Sequence, residues 1–208
     1  MSAGASTGLW WTRVVDPAAT DPVVDLRGYD SVTRPPATVS DQPSPEQPLV
    51  VVRANPSGTR VATMRFTRGL VAPTLWWVEH PESSADPPAM TLMGFTAPVI
   101  DPGAVIDQAR FRELRVPSSA QVGAVRWWPS TGQIHQIYVG PDHRRQGIGT
   151  ALLFAAASYS RARQWPLLWG SGQRTDLGEA FVTQGHDIIT GRVERRTHRL
   201  PPMTPGEA

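Results

Sequence analysis

The chain has 208 residues, 40% of them apolar, and a formal net charge of +2 at pH 7, which suits one domain or one domain with an extension and is too slight a charge to argue for nucleic acid. No apolar run reaches the roughly 18 residues of a membrane-crossing helix, and the N-terminus lacks the basic and apolar regions of a secretory signal, so a cytoplasmic protein off the membrane is expected. Cysteine is absent, which excludes disulfides, thiolate ligands and a cysteine nucleophile, and the five histidines show no H-x-x-x-H pairing, so no metal is expected.

Residues 1–48 are rich in Pro, Ser, Thr, Asp and Ala, with PATVSDQPSPEQP as a linker-like tract, and read as a β-leaning N-terminal extension. Trp10 and Trp11 would be costly in an exposed tail, so that segment is expected to dock on the body, residues 49–208. Residues 49–54 and 60–67 flank Asn-Pro-Ser-Gly and predict a hairpin, and 74–79 and 91–96 predict two more strands. Asp101-Pro102 would start a helix over 102–114, because proline suits the first helical position.

A second hairpin is expected from 122–128 and 133–139. A helix follows from Gly147 to about Arg163, then a short buried strand over 166–169. A second helix over 175–184 is stopped by Gly185, and 187–190 with 194–200 read as a closing hairpin. Trp76-Trp77 and Trp127-Trp128 each fall on a strand, where one ring should face the core. The neighbour then either packs at the sheet edge or lines an apolar groove or a homodimer interface. All 20 basic residues are arginine, and Asn55 is the only asparagine; coding bias accounts for both, and avoidance of lysine as a modification target accounts for the first. The densest basic cluster, Arg192, Arg195, Arg196, His198 and Arg199, reads as a solvated strand edge.

Residues 133–153, QIHQIYVGPDHRRQGIGTALL, carry the chemistry. Ile134, Ile137 and Val139 read as a strand, Pro141 ends it, and Ile148, Leu152, Ala155 and Tyr159 form a helical stripe. A strand feeding a glycine turn that opens a helix can cradle phosphate, because the first N–H groups of the helix have no partner within it. Gly147 and Gly149 lack a Cβ and permit close approach, and Arg144 and Arg145 add charge. The plainer alternative is a surface turn with two flexible glycines. A P-loop is excluded, since the chain has no lysine, and the glycine order does not fit a dinucleotide fold.

V-x-P-x-x-R-R-x-G-I-G-x-A-L-L resembles motif A of the GNAT superfamily of N-acetyltransferases, whose signature is [QR]-x-x-G-x-[GA]. Arg144-x-x-Gly147-x-Gly149 matches it, and the resemblance covers about residues 120–190. It implies an α/β (α+β) fold with a mixed, mostly antiparallel central sheet flanked by helices. It further implies acetyl-CoA as co-substrate and a primary amine, small or protein-borne, as acceptor. The pyrophosphate would be held by Arg144, Arg145, Gln146, Gly147, Ile148, Gly149 and Thr150, and the pantetheine arm by the backbone of Ile137, Tyr138 and Val139. A backbone N–H near Tyr138 or Val139 would meet the oxyanion. His135 is the candidate base, with an ordinary pKa of about 6.5 suited to neutral pH. It is expected to share a face with Gln133, with Gln136 on the other. Its alternative is packing within the sheet. Where the family often places an acidic tyrosine, this chain has Phe181, which has no proton to give. A non-catalytic CoA-binding or interaction module is the competing expectation.

Overall fold

The computed structural model describes residues 9–16, 22–30, 38–67, 70–96, 98–183 and 193–200. β1 (Leu9–Asp16) and β2 (Val23–Asp30) pair antiparallel along their lengths, and β2 pairs with β4 (Val50–Ala54), which returns as β5 (Val61–Phe66). β3 (Val39–Ser40) lies parallel to β1 at the edge, giving the order β3-β1-β2-β4-β5. Alternation sends Trp11, Val24, Leu26, Val50, Val52 and Met64 to one buried face. Trp10 and Tyr29 occupy the other face, stacked at 4.6 Å and also buried. The expected hairpin over 49–67 is β4 and β5.

A second sheet has the order β11-β10-β9-β7-β6-β8. Its strands are β6 (Trp76–Glu82), β7 (Ala89–Phe95), β8 (Val105–Ile106), β9 (Gln121–Trp128), β10 (Gln133–Val139) and β11 (Trp169–Gly170). Its four long strands run antiparallel, while β8 joins β6 and β11 joins β10 in parallel. The fold is therefore α/β with a mixed, mostly antiparallel central sheet. The two sheets meet at residues 103–106: Met64 N–H donates to Gly103 C=O at 2.7 Å, and Trp77 N–H to Ala104 C=O at 2.8 Å.

The helix expected over 102–114 is shorter. α1 (Gln108–Leu114) starts after Asp107, whose carboxylate accepts from Arg110 N–H, and β8 takes the preceding residues. An N-cap that satisfies an orphan donor prevails over the proline preference at 102. Phe111 of α1 lies 5.0 Å from Phe95, which stacks on Trp76 at 4.6 Å. Trp77 faces the other way and is fully buried, so both members of this pair are enclosed because both sheet faces are covered here. In the second pair only Trp127 is fully buried.

α2 (Ile148–Ala162) runs between the two sheets, packing on β7, β9 and β10 on one side and on β4 and β5 on the other. Ile148, Leu152, Ala155 and Tyr159 are buried as the stripe predicts, but so are Ala151, Leu153, Ala156, Ser158 and Ala162. A helix covered on two sides needs small residues where the second sheet approaches, which explains its alanines. The β4–β5 turn closes on its end: a Cβ on Gly58 would lie 2.1 Å from Ala162 C=O. No helix among the described residues is long and apolar enough to cross a membrane.

Towards the C-terminus the strand expected at 166–169 shrinks to β11. β12 (Gln173–Arg174) precedes α3 (Asp176–Thr183) and pairs in parallel with β13 (His198–Arg199). Gly185, residues 187–190 and Arg192 lie outside the described residues, and 194–200 contribute only β13. In the basic cluster, Arg196 and Arg199 both bond Asp176 at the start of α3 and hold its carboxyl below the usual range.

Candidate functional site

β10 is a sheet strand on one side and half-open on the other. On the first side it follows β9 down to Val139, and Gly140 N–H donates to Val122 C=O at 3.0 Å. In an antiparallel ladder bonded pairs alternate, so Ile137 and Val139 fall on the positions whose N–H and C=O face away from β9. On that far side β11 pairs only with Gln133 and Ile134. Among the described residues the edges of β10 and β11 therefore part beyond Ile134, and Ile137 and Val139 turn their backbone groups to the gap, the Val139 C=O also accepting from Arg144 Nε. Tyr138 lies between them, opposite Ala124, with its own N–H turned towards β9.

The gap leads into a tied turn. A 3-10 turn over Pro141–His143 is followed by φ values that alternate in sign: −69° at Arg144, +63° at Arg145, and +75° at Gly147 after a negative Gln146. A concave anion nest takes an αR residue before an αL one; Arg144 is extended, with ψ 155°, so the step that can form it here is Gln146–Gly147, with Gly147 at φ 75° and ψ 1°. Arg145 is a non-glycine residue in the left-handed region, a strain of about 1–3 kcal/mol of the kind that gathers at functional sites. Gln146 Nε2 donates to Asp142 C=O at 3.0 Å and Arg144 Nε to Val139 C=O at 3.4 Å, so the turn is braced by its own side chains. Arg144 is thus folded back on the strand end, while Arg145 is exposed at the rim.

The first bond within α2 is Ala151 N–H to Gly147 C=O, so the amides of Ile148 and Gly149 lie ahead of it at the positive end of the helix dipole. Two protein groups close on this backbone. A Cβ on Gly147 would lie 2.9 Å from the Ala72 amide nitrogen, and one on Gly149 would lie 3.0 Å from the Phe181 ring. The site therefore has a floor at Ile148 and Gly149 and walls at Ala72 and Phe181. Backbone N–H groups ahead of the first helical bond, with the exposed Arg145 guanidinium beside them, are a donor set that fits a diphosphate.

His135 lies at the other end of the open stretch. The β9–β10 register slips between Ile134 and Gln136, which leaves His135 as the extra residue of a bulge. The slip places Gln136 opposite Arg126, two residues from the Trp128 that faces Gln133. Gln133 and Gln136 thus share a face, contrary to the simple alternation expected. His135 is exposed, with its ring 5.2 Å from that of Trp128 and Nδ1 2.9 Å from Arg126 Nη1. Partial loss of water and the Arg126 cation hold its pKa below the ordinary value, with Glu82 opposing.

Residues 104–169 match the Acetyltransferase (GNAT) family, about a third of the chain. The likeness to the GNAT family is confined to this stretch. The matched stretch runs from the meeting point of the two sheets through β9, β10, the nest and α2 to β11. No curated protein and no solved structure matches the chain.

Within the matched stretch the expected cradle residues and the open part of β10 are contiguous, and His135 stands apart, four residues before Val139, about 13 Å along an extended strand. Phe181, on α3, is brought against Gly149 rather than towards His135. Ala72 and the Arg126–Glu82 pair were not legible as site residues. Ala72 comes from a loop 75 residues before Gly147 in sequence, and Arg126 and Glu82 meet across 44 residues.

Proposed function

We propose that this protein is an N-acetyltransferase that moves acetyl from acetyl-CoA to a primary amine. The observation that carries the reading is the open edge of β10 running without a break into the alternating-φ nest at the start of α2. The arm of coenzyme A bears amides, which match the outward N–H and C=O groups of Ile137 and Val139. Its diphosphate matches the amides of Gly147, Ile148 and Gly149 with Arg145 at the rim; Arg144 and Gln146 hold the turn in shape, and Thr150 continues the first helical turn. Of the two amides expected near the oxyanion, Val139's faces the gap and Tyr138's faces β9; with the arm paired along Ile137 and Val139 the acyl carbon lies beyond them towards His135, so neither is assigned as the oxyanion donor.

His135 is assigned to the acyl end of the strand. A second reading, a CoA-binding or interaction module with little or no turnover, is favoured by one observation: Phe181 offers no proton and packs on the floor of the nest. Thermal shift with acetyl-CoA and with CoA separates binders from non-binders, since a ligand at 100 times its Kd adds about 2.7 kcal/mol. Thiol release with a panel of small and peptide amines then separates enzyme from module. Stabilisation together with amine-dependent thiol release is expected. Stabilisation without release would leave the module, and neither would end both readings.

A further inference from the structure

On the open face of the central sheet a row of hydrogen bonds crosses four neighbouring strands. Thr91 on β7 donates to Glu82 Oε1 on β6 at 2.6 Å. Arg126 on β9 grips both Glu82 oxygens, through Nε at 3.0 and 3.1 Å and through Nη2 at 3.0 Å. Its remaining Nη1 reaches His135 Nδ1 on β10 at 2.9 Å. We propose that Arg126 is a positioning residue: anchored by Glu82, it fixes His135 as the neutral tautomer with the proton on Nε2, so that His135 serves acyl transfer as a hydrogen-bond donor and not as a base. This rests on the acetyltransferase reading.

The chemistry of the row leaves one arrangement. A guanidinium has donors only and does not give up its proton in proteins, so Nδ1 must be the acceptor. The proton of the neutral ring is then on Nε2, and a doubly protonated ring would set N–H against N–H. The two nitrogens point to opposite sides of the ring, so with Nδ1 turned to β9, Nε2–H turns away from it. The groups around the ring are Arg126 and Trp128 from β9, Glu82 and His80 from β6, Thr91 from β7, and Gln133 and Gln136 on its own strand. Glu82 is held below the usual carboxylate range, chiefly by Arg126, so the anchor stays charged near neutral pH. The depressed pKa of His135 agrees with a ring kept neutral.

In the reaction, the nitrogen of a neutral amine bonds to the acyl carbon, the carbon–sulfur bond breaks, and sulfur leaves with the electron pair. The amine's surplus proton passes to water. His135 keeps its proton and hydrogen-bonds the departing thiolate through Nε2–H. Thiols are far more acidic than alcohols, cysteine's own pKa being about 8.5, so a thiolate held this way is a tolerable leaving group without a proton from position 181.

Long-range proton–nitrogen NMR of the wild-type protein reads the tautomer directly. A single Nε2–H form is expected, and in Arg126→Met it should give way to a mixture with a pKa moved towards 6.5. An Nδ1–H or mixed ring in the wild type would overturn the proposal without recourse to a variant. In turnover, His135→Gln keeps an N–H near the Nε2 position but cannot act as a base. It should retain most of kcat, whereas His135→Ala should lose about 100-fold. Equal loss in both would show that His135 is a base. If no amine is acetylated, the acetyltransferase reading falls with the catalytic role, while the NMR still decides the tautomer.

Discussion

Gly149 and Phe181 come together at the start of α2, where the proposed diphosphate would enter. The Phe181 ring stands 3.0 Å from the place of a Cβ on Gly149, so an added methyl must displace the ring. Gly149→Ala is therefore expected to destabilise by about 1–3 kcal/mol, as overpacking does. Adding Phe181→Ala should recover part of that, giving a measurable coupling in a double-mutant cycle of urea melts. Strict additivity would mean that the two do not meet in solution. At this scale the sequence was informative where structure is local: Arg144, Gly147 and Gly149 lie within one turn, and their spacing showed the strand–turn–helix junction. It was uninformative for Arg126, because nothing in VRWW announces a partner 44 residues away, and for the bulge at His135, which breaks the alternation that strand reading assumes.

The helix that presents the nest is held by a glycine floor. Gly94 and Gly123 face each other across β7 and β9, and Leu152 sits over both, with Cδ1 2.9 Å from the place of a Cβ on Gly123. Leu152 is fully buried. Leu152→Ala should cost about 2–5 kcal/mol, measured as a shift of the denaturation midpoint with the slope unchanged. A change within 0.5 kcal/mol would contradict the packing described. The sequence showed this helix from Gly147 to Arg163, since its 3.6-residue stripe and its glycine start are local signals. The second buried face was hidden, because alanine is as much at home on a surface as under a sheet. The start of α1 was misplaced for a related reason: a proline preference at 102 is visible in any sequence, whereas the Asp107 cap acts only once β8 is paired.

Across the whole molecule, residues before 49 supply three strands of the sheet that covers α2, and Trp11 belongs to the same core as Leu152. Composition made this stretch read as an extension, because its prolines and serines lie between short strands whose partners are distant in sequence. The charged row on the opposite face makes stability depend on acidity. The folded pKa of His135 lies below 6.5 and that of Glu82 below 4.5. In both cases the unfolded chain takes up the proton first, so their contributions are complete above the unfolded values and are lost as pH falls through the folded ones. Denaturation midpoints should therefore decline from just below neutral pH, and again in the carboxylate range. Arg126→Met should flatten both declines; an unchanged profile in that variant would show that the row does not set them.

The most direct test of the whole account is a titration of the labelled protein with coenzyme A, followed through backbone amide resonances. The largest shifts should fall at Gly147, Ile148 and Gly149, with a second group at Ile137 and Val139 along the open edge. Saturating nucleotide that leaves these amides unmoved, or moves a different surface, would contradict it.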